Sequence, residues 1–280
     1  MIAGIEMGGT KTVVAVGEAD GTVHEEFRYP TTDGPGTYAR AIEWLRERGT
    51  PEAVGVAAFG PVSVNKGRAD YGRMLATPKP GWAGFSIVGA LEGAFPSARI
   101  ALETDVNAAA LAERDGLDNV IYITIGTGIG GGGLIDGRML RGAVHSEFGH
   151  WLPRRAPGDD FAGVCPFHGD CLEGLASGPA IARRWGMEAK DLAPDHKAWE
   201  FESFYLAQAV MTLLATVCPE RVVIGGGVSQ AEDFHKLVEE KVRDWAEGYF
   251  PALEENRPFV VAPQHEQQAG IKGALMLCQG

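Results

Sequence analysis

The stretch GIEMGGTKTVVAVGEADG, residues 4–21, decides the fold. A short apolar run leads into a glycine turn, and a β-branched run follows before a second turn rich in Asp and Gly. The same order returns in VIYITIGTGIGGGGLIDG, residues 120–137. Two strand–glycine–strand hairpins in one chain predict two similar α/β domains, each beginning with a turn of the phosphate-binding kind.

Apolar runs typical of strands alternate with helical patterns along the rest of the chain, which predicts an α/β protein. The expected elements are a buried strand at 53–62, a helix at 104–116 beginning at Thr104 or Asp105, a helix at 177–186 capped by Ser177, a long helix at 201–219, and a strand, glycine loop and helix at 221–245. A polar segment at 114–119 marks a boundary. We therefore expect a first domain over 1–115 and a second over 116–280, whose last helix packs back on the first.

Composition narrows the class of protein. The 280 residues are 45% hydrophobic and 22% charged, as in an ordinary globular protein, and the net charge is −12. Because a nucleic-acid surface needs clustered Lys and Arg, this charge argues against nucleic-acid binding. No apolar run is long enough to span a bilayer, and no basic segment precedes the first strand. We expect a cytoplasmic protein without a membrane partner.

Three glycine clusters follow apolar runs, at 8–9, 126–133 and 225–227. The first almost matches a P-loop, but Thr10 stands where that motif needs Lys and a strand-like run follows. The second contains G-x-G-x-x-G, yet its continuation is too rich in glycine to begin a helix. The clusters predict instead two phosphate-binding hairpins that face each other across a cleft and hold a triphosphate.

Asp105 is the candidate catalytic base. A carboxylate at a helix N-terminus stays ionised and can accept a proton from a substrate hydroxyl. The alternative is a plain helix cap. Asn107, in the first turn, could add a hydrogen bond to a polyol or could be a solvated helix residue.

The stretch CPFHGDC, residues 165–171, supplies three metal-ligand side chains in seven residues. Upstream, HSEFGH (145–150) places Glu147 between two histidines. Cys165, His168 and Cys171 with His150 would give the four ligands of a structural zinc site, whereas the alternative is a thiol-bearing loop without metal. The other two cysteines, Cys218 and Cys278, are expected in the core.

Together these motifs resemble the ROK family of sugar kinases over essentially the whole chain. The family's two phosphate turns match GIEMGGTK and IGTGIGGG, and its catalytic helix matches TDVNAAALAE. Its sugar element matches EFGH, its metal loop CPFHGDCLEGLASGPA, its adenosine-side loop VIGGGV and its closing helix AGIKGAL. The metal loop, FGPV (59–62), TPKPGW (77–82) and Glu6 in place of the usual aspartate resemble the bacterial fructokinase branch.

The resemblance implies two actin-like or hexokinase-like (ribonuclease H-like) domains with a catalytic cleft between them, in a homodimer. It implies transfer of phosphate from ATP to D-fructose, giving fructose 6-phosphate, with Asp105 as the base, Mg²⁺ on the nucleotide and a structural Zn²⁺. The implied sugar ligands are Asn107, Glu147, His150 and Glu173. The zinc ligands are His150, Cys165, His168 and Cys171, and Glu6 would help to organise Mg²⁺. The implied phosphate and nucleoside contacts are Gly8, Gly9, Thr10, Lys11, Thr127, Gly128, Gly225 and Gly226.

Two alternatives remain open at this point. The chain could phosphorylate another hexose, such as glucose, mannose or an N-acyl-mannosamine, because one hydroxyl or methylene changes preference by only about 1–3 kcal/mol when no dedicated hydrogen bond is built for it. It could also be a non-catalytic sugar-binding regulator. The family's repressors carry an N-terminal helix-turn-helix module, whereas the first hairpin here begins at residue 4.

Overall fold

The computed structural model describes residues 1–77, 79–253 and 257–279. Its strands are β1 Ile2–Met7, β2 Lys11–Gly17, β3 Val23–Pro30, β4 Ala53–Ala58, β5 Arg99–Thr104, β6 Val120–Ile125, β7 Ile129–Ile135, β8 Arg138–Met139, β9 Arg221–Gly225 and β10 Val260–Val261. Its α-helices are α1 Gly34–Arg46, α2 Ile87–Ala94, α3 Asp105–Ala112, α4 Leu172–Ala176, α5 Gly178–Trp185, α6 Ala198–Thr216, α7 Phe234–Ala246 and α8 Ala269–Met276.

The strands form two five-stranded mixed sheets with equivalent topology. The first has the order β3-β2-β1-β4-β5, and the second has the order β8-β7-β6-β9-β10. In both, an antiparallel hairpin is extended by parallel pairing of its first strand with a later strand, β1 with β4 and β6 with β9. The two hairpins quoted above are therefore β1–β2 and β6–β7, and the predicted α/β class is confirmed.

The chain forms two compact units. The first comprises 1–115, 139–146 and 267–280, and the second comprises 116–138 and 147–266. Helix α8 packs on β1, β4 and α3 of the first unit. The segment 139–146 also belongs to the first unit, although it follows strands of the second.

Each face of the first sheet carries its own apolar cluster. One includes Tyr38, Leu45 and Leu91 from α1 and α2, with Trp82 fully buried in it. The other is built from small side chains such as Ala57 and Ala108, packed against α8. The small side chains let α3 and α8 approach the sheet closely, because close packing of backbones needs short side chains.

Both ends of α5 follow the sequence signals. The side chain of Ser177 accepts a hydrogen bond from the Ala180 N–H at the start of α5, and Gly186 ends that helix in the left-handed region at φ +70°. The long helix α6 begins three residues earlier than expected, at Ala198. No helix in the described ranges has both the length and the apolar character to cross a membrane.

One expectation about the cysteines is wrong. Cys278 is buried, with its Sγ 3.9 Å from the carbonyl oxygen of Ala3. Cys218 is exposed. It follows the end of α6, and its φ of +46° turns the chain before Pro219, so its side chain leaves the apolar face that α6 buries.

Candidate active site

The parallel strands β1, β4 and β5 of the first unit end at one edge of the sheet. Met7 pairs with Ala58, and Ala58 pairs with Thr104. Beyond this edge, β1 leads into the turn at 8–10 and β5 leads into Asp105. Neighbouring strands lie about 4.8 Å apart. Because β4 lies between β1 and β5, the predicted base and the predicted phosphate turn lie on the same edge of the sheet, about two strand spacings apart.

Asp105 is the first residue of α3, and its Oδ1 accepts a hydrogen bond from the Val106 N–H (2.9 Å). The capping role that was the alternative for Asp105 is held by Thr104, whose side chain accepts from the Asn107 N–H (3.2 Å). Asp105 is half-buried. Its carboxylate is thus held at a helix N-terminus, where the helix dipole favours the charged form.

Glu6 lies on β1 close to Asp105. Burial, together with the charge of Asp105, raises the pKa of Glu6 from 4.5 to about 7, although Lys11 and Arg28 oppose the rise. The Oε2 atom is enclosed and has no hydrogen-bond partner among the described residues. An enclosed carboxylate oxygen beside a second carboxylate matches the oxygen ligands that Mg²⁺ prefers, directly or through water.

The turn after β1 is open on its outer side. The Gly8 N–H donates to the Lys11 carbonyl (3.0 Å), and the Thr31 hydroxyl donates to the Gly8 carbonyl (2.9 Å). These bonds fix the inner side of the turn. Gly9, Thr10 and Lys11 are exposed. The geometry leaves room for a phosphate against the turn.

Asn107 is buried in a cluster with Glu103 and Arg141. Its Nδ2 donates to Glu103 Oε1 (3.1 Å) and to the Leu140 carbonyl (3.2 Å). The other oxygen of Glu103 accepts from Arg141 through Nε at 2.7 Å and Nη2 at 2.5 Å. These bonds attach the segment 139–146 to the start of α3. The predicted sugar contact of Asn107 stays a prediction.

In the second unit, the hairpin turn 126–128 lies beside the start of α5. The Gly178 N–H donates to the Gly126 carbonyl (2.8 Å), and the Gly126 N–H donates to the Gly128 carbonyl (2.9 Å). A cavity of about 450 Å³ opens here. It is lined by Gly126, Thr127, Gly178, Pro179, Ala182, Glu188, Ala189, Lys190, Gly227 and Val228. A helix N-terminus and a glycine turn on one cavity form an anion-binding arrangement.

The loop after β9 contributes to this cavity through Gly227 and Val228. Gly225 and Gly226, which are the predicted nucleoside-binding residues, directly precede Gly227 in the chain and do not line the cavity. Gly226 adopts φ +93°, and a Cβ there would meet the backbone nitrogen of Ile125 at 2.6 Å. Glycine at 226 thus lets the loop pack on the end of β6.

The EFGH element forms a short 3-10 helix, Phe148–His150, packed on β7. Gly149 is buried, and a Cβ on it would lie 2.1 Å from the Ile129 carbonyl oxygen, so only glycine fits. Glu147 is exposed at the start of this element. Glu173, on α4, accepts a hydrogen bond from the Ile129 N–H (3.0 Å), which ties it to the hairpin turn.

The four predicted zinc ligands converge. Their ligand atoms all lie within 4.8 Å of one another. His150 Nδ1 is 3.6 Å from Cys171 Sγ and 3.8 Å from Cys165 Sγ, and His168 Nδ1 is 3.8 Å from Cys165 Sγ. Tetrahedral zinc with bonds of about 2.0–2.3 Å separates its ligands by about 3.5–3.8 Å. The spacing therefore fits one zinc ion.

The turn between the cysteines positions these ligands. Cys165 and Gly169 exchange backbone hydrogen bonds of 3.2 and 2.9 Å, so His168 folds back toward Cys165. Both cysteines are free and buried, and burial raises the pKa of the Cys171 thiol to about 11. A thiol in such surroundings becomes a thiolate only when a cation binds it.

Sequence reasoning missed four side chains near the edge of the first sheet. Glu103 and Arg141 form the buried ion pair described above. His145 has its Nδ1 3.2 Å from the Val62 carbonyl, and Lys79 lies over the ring of Phe59. His145 and Lys79 stood inside quoted motifs, but no spacing rule assigned them a partner. Of TPKPGW, Pro78 lies outside the described residues.

Comparisons with known proteins agree with this architecture. Residues 2–280 match the family described as the ROK family. A protein of Bacillus subtilis (strain 168) described as a putative fructokinase is 40% identical over 285 residues, which cover 99% of this chain and 95% of that protein. The fructokinase of Pediococcus pentosaceus is 36% identical over 286 residues, covering 100% and 98%.

Among solved structures, the ROK hexokinase from Thermus thermophilus superposes with a TM-score of 0.80 at 28% identity, covering 99% of this chain and 97% of that one. The predicted two-domain α/β fold of the sugar kinases is confirmed, and so is the predicted family. This chain is a member of the ROK family over essentially its whole length.

Proposed function

We propose that this chain transfers the γ-phosphoryl group of ATP to D-fructose, giving fructose 6-phosphate and ADP. The observation that carries the proposal is the position of Asp105, at a helix N-terminus on the sheet edge that also carries the turn at 8–10 and Glu6. The fructokinase descriptions of full-length relatives at 36–40% identity support fructose as the sugar.

In the proposed reaction, Asp105 accepts the proton of the attacking hydroxyl. The hydroxyl oxygen forms a bond to the γ-phosphorus as the bond to the bridging oxygen breaks, and ADP leaves. Phosphoryl transfer needs alignment and charge stabilisation more than covalent help, so one base and well-placed donors suffice. Bound Mg²⁺ would neutralise charge on the phosphates, with Glu6 holding it through its enclosed oxygen or through water.

The remaining roles follow the motifs. Gly8, Gly9, Thr10, Lys11, Thr127 and Gly128 would hold the phosphates, while the cavity beside α5 and the loop at 225–228 would hold the nucleoside. Asn107, Glu147, His150 and Glu173 would position the sugar. The homodimer expected from the resemblance and the cytoplasmic location stay predictions.

We also propose that His150, Cys165, His168 and Cys171 bind one structural zinc ion. The distances between their ligand atoms support this assignment. Because His150 ends the EFGH element, zinc would hold the element and the cysteine loop in one conformation without taking part in the chemistry.

The test is a coupled assay of ADP release with ATP, Mg²⁺ and a panel of hexoses. We expect fructose to give the highest kcat/KM. Preference for glucose, mannose or an N-acyl-mannosamine would show that the protein is a sugar kinase with a substrate other than fructose. No turnover on any sugar would favour the non-catalytic regulator.

The same assay tests the base. Replacing Asp105 with Asn or Ala should lower kcat by about 10²–10⁴-fold, because general-base catalysis contributes that much. Fructose binding measured by calorimetry should change only a few-fold. Asp244→Asn, on the exposed side of α7, is the matched control and should keep the wild-type kcat. Substantial activity in Asp105→Ala would show that another group takes the proton.

A further inference from the structure

Lys79 presents an ammonium group that has no hydrogen-bond partner among the residues that the structure describes. Its Nζ is enclosed and makes no hydrogen bond to any described residue. The group lies 5.0 Å from the ring centroid of Phe59. Burial lowers the pKa of Lys79, with no neighbouring charge contributing to the change. A desolvated cation without hydrogen bonds is costly unless a ligand supplies the acceptor.

The loop that carries Lys79 is fixed in place. Trp82 is fully buried, and its Nε1 donates to the Thr32 carbonyl (2.7 Å). Its ring meets the ring of Phe59 edge-on, with centroids 5.1 Å apart. On the other side, the Lys79 N–H donates to the Thr77 hydroxyl (3.3 Å). These contacts hold the ammonium over Phe59.

Phe59 lies in the middle of the edge that carries the proposed chemistry. Its N–H donates to the Met7 carbonyl (2.9 Å), so it continues β4 beside the end of β1. On the other side, the end of β4 pairs with Thr104, the residue before Asp105. The ammonium of Lys79 therefore stands over a residue between the turn at 8–10 and the proposed base.

The chemistry of this position suits a sugar. An ammonium donates up to three hydrogen bonds and accepts none, so its ligand must offer oxygen acceptors. An aromatic ring beside the donor offers an apolar surface to C–H groups, and a sugar combines both kinds of group. The phosphate turn already has a cation of its own in Lys11.

We propose that Lys79 is a substrate-binding residue that donates a hydrogen bond to a hydroxyl oxygen of the acceptor sugar. This inference rests on the proposed function. The turn at 59–62 would be the floor of this part of the pocket, with Phe59 under the sugar and Lys79 as the donor. The missing partner of the ammonium is then the substrate itself.

The experiment compares Lys79→Met, Lys79→Arg and the control Lys66→Met, an exposed lysine of the same unit. KM for fructose, KM for ATP and kcat are measured for each, together with Tm without ligands. Because a hydrogen bond from a charged group is worth about a factor of 10 to 100, Lys79→Met should raise the KM for fructose by that factor. The KM for ATP should stay within about two-fold, and Lys79→Arg should recover part of the loss.

Tm separates binding from a structural role. Removal of the Lys79 charge should leave Tm unchanged or higher, because its ammonium makes no hydrogen bond to a described residue and methionine keeps an apolar side chain of similar length. An unchanged KM for fructose would overturn the inference, as would a rise confined to the KM for ATP, which would indicate a phosphate contact. A fall in Tm with changes in both KM values would indicate a structural lysine. If the wild-type protein phosphorylates no sugar, the proposed function fails instead.

Discussion

Glu6 shows how one residue combines a cost in stability with a functional role. Its carboxyl group is enclosed next to Asp105, and its pKa of about 7 means that the folded protein binds a proton there more tightly than the unfolded chain does. Proton loss from Glu6 therefore destabilises the ligand-free fold. A divalent cation at this position would remove that penalty, since it favours both carboxylates in their charged form.

Replacing Glu6 with Gln should stabilise the ligand-free protein at alkaline pH. Protonated Glu6 contributes favourably to the free energy of unfolding of the wild type at low pH, and this contribution is lost as the pH rises from about 4.5 through 7. Because Gln does not titrate, the variant should be the more stable protein at alkaline pH. A pKa shift of this size corresponds to a difference of about 3 kcal/mol in the free energy of unfolding above pH 8. Urea unfolding in Mg²⁺-free buffer at pH 5 and pH 8 measures the difference.

The exposed Glu43→Gln is the control and should show the pH dependence of the wild type. Equal unfolding free energies of wild type and Glu6→Gln at pH 8 would contradict the assignment. In the same variant we expect half-maximal kcat to require a higher Mg²⁺ concentration, because the neutral amide is a weaker ligand for the cation than the carboxylate.

At the scale of elements, the segment 139–146 is held in part by the ion pair between Arg141 and Glu103. Replacing Arg141 with Ala would leave the buried carboxylate of Glu103 without its cation. An unpaired buried charge lowers the free energy of unfolding by about 3–5 kcal/mol. Since the Arg141 side chain is 40% exposed, water can replace part of the lost contact, and we expect a loss of about 2 kcal/mol. Thermal and urea unfolding measure it, with Arg138→Ala on the exposed side of β8 as the control.

The activity of Arg141→Ala tests whether the segment 139–146 also supports catalysis. Because Asn107 and Glu103 join it to the start of α3, loosening it should lower kcat of the folded protein by several-fold, with Arg141→Lys intermediate. A fully stable and active Arg141→Ala would show that the segment is held by other contacts.

The cysteine loop makes a separate prediction. Cys171→Ser removes one thiolate of the four-ligand set, so the purified protein should contain less than about a tenth of a zinc per chain and its Tm should fall by about 6–12 °C. Elemental analysis and calorimetry measure both. Cys218→Ser, on the exposed cysteine, should keep wild-type values. Normal zinc content in Cys171→Ser would place the metal elsewhere.

At the scale of the whole molecule, the sequence predicted what depends on local pattern. The hairpins β1–β2 and β6–β7, the capped start of α5 and three of the four converging metal ligands lie in short motifs whose spacing is set within one turn or loop. Contacts between distant segments were not predictable. Glu103 meets Arg141, and Lys79 meets Phe59, only because the fold brings separate loops to one sheet edge. Contacts of this kind leave no periodicity or residue spacing in the sequence from which they could be predicted.

The placement of α8 has a consequence for synthesis on the ribosome. The first unit begins with β1, yet α8, which together with α3 covers one face of its sheet, is made after the whole of the second unit. Segments usually fold in the order in which they emerge, so residues 116–138 and 147–266 can reach their compact form while one face of the first sheet is covered by α3 but still lacks α8. Until α8 has left the exit tunnel, the incompletely covered face of the first sheet therefore offers apolar surface for aggregation and for chaperone binding.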